Sequence, residues 1–112
     1  MKIIERNKGP KIPYEVIRKT KIIFNDDLML DLAKRQTDEV VLIDICFDSS
    51  GAIIMGTTDA KSYVAQIIIP PAEYEEIQTA KKTEASNDMN NGTQRKKLPL
   101  DMEQVELILW SI

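Results

Sequence analysis

Histidine is absent from the 112 residues. With it go the only side chain whose ordinary pKa lies near neutrality and the commonest transition-metal ligand. Triads built on histidine, histidine-based zinc sites and histidine phosphotransfer are therefore excluded for this chain. Cysteine occurs once, at Cys46. No disulfide can form within the chain, and no Cys-rich zinc or iron–sulfur ligand set can be drawn from it. The four glycines, Gly9, Gly51, Gly56 and Gly92, are too scattered for a loop that cradles phosphate. Long apolar runs are missing too, since none approaches the roughly 20 residues of a membrane-spanning helix. The opening Met1–Arg6 turns charged too early to supply the apolar region of a signal peptide.

What is present is the balance of a folded domain. Hydrophobic residues make up 43% and charged residues 29%, which sets the chain apart from disordered and fibrous classes. The length suits a single domain spanning 1–112. The net charge of -3 gives no general reason to expect nucleic acid or an anionic membrane as partner. A lone thiol inside an apolar run fits a reducing compartment, so a cytoplasmic location is expected.

Periodicity predicts the elements. Lys2–Asn7 reads as a short strand closed by Lys8-Gly9-Pro10. Ile12–Phe24 nearly alternates, with Ile12, Tyr14, Val16, Ile22 and Phe24 on one face, and reads as a long strand or a bent pair. Arg18 and Thr20 interrupt that face and suggest a bulge or the sheet margin. Asn25-Asp26-Asp27 carries an N-cap and first-turn acids, and Lys34-Arg35 suits a C-terminus, so a short helix to about Gln36 is expected. Glu39–Asp48 is apolar on both faces, the mark of a central strand. Asp48–Gly51 is a hairpin turn. Ala52–Thr57 and Ser62–Ile69 complete a three-stranded meander. Pro71, followed by Glu73, Glu75 and Glu76 and later by Lys81 and Lys82, predicts a second helix.

The stretch from about Thr83 to Lys97 is polar and Asn-rich, and reads as a long flexible loop. Val105–Trp110 is nearly all apolar and reads as a C-terminal strand. A helix is its rival, because Met102, Val105, Leu109 and Ile112 also keep helical spacing. The fold expected is α+β: an antiparallel or mixed sheet of five to six strands with two short helices and a long flexible loop near residues 83–97.

The acids are the only raw material for a metal or general-acid site. Asp26, Asp27 and Asp31 read as helix-start charges, and Asp48 and Asp59 as turn residues. Asp44 differs, because it sits in mid-strand between Leu42 and Cys46, where a half-buried carboxylate needs a partner. Arg18 or Lys21 could supply one, so Asp44 with Arg18 is the candidate polar site. Cys46 lacks the histidine or cationic neighbour that would hold a thiolate, and reads as a buried structural residue. Residues 1–21 hold seven cations against two acids, a net of +5, whereas residues 26–59 hold eight acids against two cations, a net of -6. This asymmetry could form a basic face for phosphates, but alternation scatters the cations and only Tyr14 lies nearby to stack a base. Pairing within the fold or between subunits is preferred.

Trp110 lies in the apolar run Leu107-Ile108-Leu109-Trp110. It is either core or an anchor at a subunit interface, with Leu107 and Leu109 beside it. The expectation is a non-enzymatic interaction module without cofactor that self-associates as a homodimer or binds another protein, with no membrane partner. Two alternatives remain. One is a small carboxylate-based enzyme or ligand-binding domain centred on Asp44, and the other is a nucleic-acid module using the basic N-terminal segment.

Overall fold

The computed structural model describes residues 1–78 and 93–112. The protein is mostly β, which overturns the α+β expectation. Among the described residues the longest helix is α1, Leu32–Arg35, capped by Asp31, whose side chain accepts from the Lys34 amide. The other helical piece among the described residues is the 3-10 turn Met102–Gln104.

Strands replace both expected helices, save for the one turn of α1. The chain opens with β1 (Lys2–Glu5), β2 (Tyr14–Ile17), β3 (Lys21–Phe24) and β4 (Leu28–Asp31), the last three forming an antiparallel sheet in the order β2-β3-β4. Asn25 and Asp26, expected to start a helix, instead adopt φ of 57° and 53°. The Asp27 amide donates to the Phe24 carbonyl at 2.9 Å. Positive φ at both central residues is what a type I′ hairpin turn requires, and Asn and Asp tolerate it better than other non-glycine residues. Leu28–Asp31 then returns with period two, burying Leu30 and exposing Met29. Arg18 and Lys19 likewise take positive φ, 49° and 68°, so the break in the Ile12–Phe24 pattern is the β2–β3 turn rather than a bulge.

The main sheet has five strands in the order β1-β10-β7-β5-β6, with β5 Val41–Asp48, β6 Ile53–Met55, β7 Ala60–Ile69 and β10 Glu106–Leu109. The expected meander is corrected here, because β7 returns on the far side of β5 from β6. The C-terminal run is a strand, and β1 pairs with it in parallel, Lys2 opposite Glu106 and Ile4 opposite Ile108.

The two sheets share one core. Ile22, Phe24 and Leu30 from the three-stranded sheet meet Ile43, Ile45, Ile67, Ile69 and Leu107 from the five-stranded one, with Ile12, Leu32 and Val105 closing the ends. These are alternate positions on each strand, so each sheet commits one face to the core. At about 25 cal/mol per Å² of apolar surface removed from water, this layer is the principal source of stability.

In place of the second expected helix, Tyr74–Gln78 forms β8, which pairs antiparallel with β9 (Thr93–Lys97) in a two-stranded arm, while Lys81 and Lys82 lie outside the described residues. The loop expected at 83–97 is thereby corrected at residues 93–97, while residues 83–92 lie outside the described ones. Opposite charges face each other across the arm, Glu75 opposite Lys96 and Glu76 opposite Arg95, which supports pairing without apolar content. The Arg95 guanidinium lies 4.2 Å from the centre of the Tyr74 ring, and the Tyr74 hydroxyl donates to Asp38 Oδ1 at 2.6 Å. These contacts tie the arm to the segment that leads into β5.

Candidate functional site

Among the described residues, no second layer covers the side of the five-stranded sheet turned away from the core. Its register places side chains in rows. One row is Lys2, Glu106, Ile68 and Leu42, and the next is Ile4, Ile108, Gln66 and Asp44. A third holds Tyr63, Cys46 and Ile54, with Trp110 beside Tyr63, their ring centroids 5.5 Å apart and tilted by 42°. Leu42 is 59% exposed and Tyr63 44% exposed, Ile4, Ile54, Ile68 and Trp110 are half-buried, and Ile108 and Cys46 are buried beneath their neighbours. An apolar, partly aromatic sheet face that leaves Leu42 and Tyr63 exposed to water is the most unusual surface among the described residues.

A bulge builds this face. Between the Ile45–Ala65 and Cys46–Tyr63 pairs, β7 carries one extra residue, Val64. Val64 and Ala65 both go to the core, and the shift brings Tyr63 onto the same side as Gln66. Strict alternation along Ser62–Ile69 would put them on opposite sides, so the sequence pattern could not reveal Tyr63 or Gln66 as surface partners.

Asp44 is part of this face, but Arg18 is not its partner. Asp44 accepts a hydrogen bond from Gln66 Nε2 at 2.9 Å, and Arg18 stays in the β2–β3 turn. Among the described residues the ion pair present joins Lys11 and Glu5 at 3.9 Å. Burial pushes the Cys46 thiol above its ordinary pKa, and the Asp44 charge adds to this. The Asp44 charge is also the main reason the Tyr63 phenol is pushed up. Cys46 is thus held as a thiol, the unreactive form. Among the described residues no three carboxylate or thiol groups converge as a metal ligand set.

Leu107 and Leu109, expected at an interface beside Trp110, lie instead in the chain's own core, at 0% and 2% exposure. Trp110 itself remains on the outer face, its amide donating to the Val64 carbonyl at 3.1 Å. The expected acids Asp26 and Asp27 lie in the β3–β4 turn, and Asp31 caps α1. Asp48 accepts from the Ser50 hydroxyl and from the Ser50 and Ala52 amides, which hold its carboxyl below the usual range.

The chain matches no protein-family model, no curated protein and no solved structure. The site therefore has to be judged on its own chemistry. Its polar groups are the Asp44 carboxylate engaged by the Gln66 amide, the Cys46 thiol and the Tyr63 phenol, with Lys2 and Glu106 side by side at one end. A concavity of about 420 Å³ sits at the base of the arm, lined by Gln36, Pro70, Pro71, Glu73, Leu98–Asp101 and Gln104. Gln36 Nε2 donates to the Pro70 carbonyl at 3.0 Å and the Asp101 carboxylate accepts from the Glu103 amide at 3.0 Å, so these polar atoms already serve the chain's own backbone. Among the described residues no helix is long and apolar enough to cross a membrane.

Proposed function

We propose that this chain is a non-enzymatic interaction module that self-associates through the outer face of its five-stranded sheet. The observation that carries the reading is the open apolar face, with Leu42 and Tyr63 exposed and Trp110 stacked beside Tyr63. Buried on association, these groups release apolar surface from water, and the aromatic pair supplies the kind of anchor found at interface centres. A single thiol kept protonated suits a reducing compartment, and the cytoplasm is the location that fits.

The size of the face sets the strength. Four strands at about 4.8 Å spacing and three side-chain rows at about 6.8 Å make a patch of roughly 400 Å². Standard interfaces bury about 800 Å² per partner, so this face alone supports a weak, concentration-dependent dimer rather than a permanent one. Sedimentation velocity across a dilution series tests the reading. The expected result is a monomer–dimer equilibrium that Leu42→Arg shifts fully to monomer without lowering the melting temperature, because Leu42 contributes little to the core. A monomer at every concentration would refute it.

A further inference from the structure

Charge is distributed across the outer face in a way that selects one arrangement of two copies. The strand at one edge, β1, carries Lys2, and the exposed Arg6 follows it, its amide donating to the Leu109 carbonyl. Alternation puts Arg6 on the same side as Lys2 and Ile4. Glu106 lies beside Lys2 in the register, and among the described residues no carboxylate pairs with Arg6. Toward the opposite edge, β5 carries Asp44, whose hydrogen-bond partner, Gln66, is neutral. The middle of the face is apolar. Of the basic segment, Lys2 and Arg6 lie at this edge, while Arg18, Lys19 and Lys21 belong to the three-stranded sheet; of the acidic segment, Asp44 lies on this face.

Two copies packed face to face can be related by a twofold axis along the strands or across them. An axis across the strands lays β1 on β1 and β5 on β5, setting like charge against like charge. An axis along the strands reverses the strand order of the second copy, so that its β1 lies over the β5–β6 side of the first, and by symmetry the reverse also holds. Sheets pack about 10 Å apart, a gap that Lys and Arg side chains can reach into. Resting on the proposed function, we infer that the occupant of the outer face is a second copy related by a twofold axis along the strands, with Lys2 and Arg6 of each copy directed at Asp44 of the other.

A charge-swap mixing experiment tests this. Lys2→Glu with Arg6→Glu makes one self-repelling variant, and Asp44→Lys makes another. Each should dimerise at least about tenfold more weakly than the wild type, since two exposed contacts turn from attractive to repulsive. Mixed in equal amounts, the two variants should recover dimer at wild-type concentrations, because both contacts of the mixed pair are again attractive. Wild-type dimerisation with no loss in either variant, or loss in both with no recovery on mixing, would overturn the arrangement while leaving self-association standing. A wild-type protein that stays monomeric would overturn both. If Asp44→Lys does not fold, Asp44→Asn retains a partner for Gln66. The cost of the Lys2→Glu/Arg6→Glu change should then shrink when it is combined with Asp44→Asn, and an unchanged cost would refute the contact.

Discussion

The turn at Asn25-Asp26 offers a substitution whose sign separates a hairpin from a helix. Asp26 is exposed and sits at φ 53°, following Asn25 at φ 57°. An L-residue in this left-handed region costs about 1–2 kcal/mol, and Asp escapes part of that through local hydrogen bonding. Glycine carries no such cost, so Asp26→Gly should stabilise the protein by about 0.5–1 kcal/mol after its larger unfolded-state entropy is counted. Asp26→Ala, which keeps the strain and loses the polar side chain, should destabilise by about 1 kcal/mol. A helix opening at Asn25 reverses the order, because glycine near a helix start then costs about 0.5–1 kcal/mol and alanine is neutral or better. Urea unfolding measures both variants, and the midpoint should move at constant slope. In a domain of this size 1 kcal/mol is also a shift of about 4 °C in melting temperature. A destabilising Asp26→Gly beside a neutral Asp26→Ala would refute the hairpin and with it the all-β three-stranded layer.

Gly9 has φ of 118°, and a Cβ built there would meet Ser111 Oγ at 2.7 Å and Ser111 Cβ at 3.2 Å. Gly9→Ala should therefore cost about 2–4 kcal/mol by denaturant unfolding, from backbone strain and displacement of the C-terminal segment that Asn7 and Pro10 hold. The Tyr74 phenol is pushed above its ordinary pKa, first by donating to Asp38. A raised folded-state pKa means the stabilisation is full below about pH 10, the unfolded value, and is lost as pH rises through the folded value. Tyr74→Phe should remove this alkaline component, and a melting-temperature profile from neutral to high pH that is identical in both proteins would contradict it.

The extent to which this fold can be inferred from its sequence varies with the kind of signal. The strands β5, β7 and β10 are legible in Glu39–Asp48, Ser62–Ile69 and Val105–Trp110, because alternation and apolar density are set by the core they share. The two supposed helices fail for a common reason. Asn25-Asp26-Asp27 and Pro71 through Glu76 carry helix-start residues, but the same residue types fill turns and charged edge strands. Nothing local distinguishes an N-cap Asn from one in a type I′ turn. The arm is hidden further, because Thr93–Lys97 pairs through charges and a cation over Tyr74 rather than through apolar residues. At the candidate site, Asp44 and Trp110 stand out in the sequence, the one as a carboxylate in mid-strand and the other as an aromatic in a terminal apolar run. That they share a face with Tyr63 and Gln66 depends on the Val64 bulge and on β7 lying beside β5 and β10. Such long-range pairing leaves no trace in any single segment.

Trp110 is the only tryptophan in the chain, and it lies half-buried on the face held to associate. Its fluorescence therefore reports on that face alone. The direct test is acrylamide quenching of Trp110 measured across a wide range of protein concentration. The account predicts that quenching weakens and emission moves to shorter wavelength as concentration rises, with a midpoint matching that of dimer formation by sedimentation. Quenching that stays constant while the protein dimerises would place the contact elsewhere, and constant quenching with no dimer at all would contradict the proposed function.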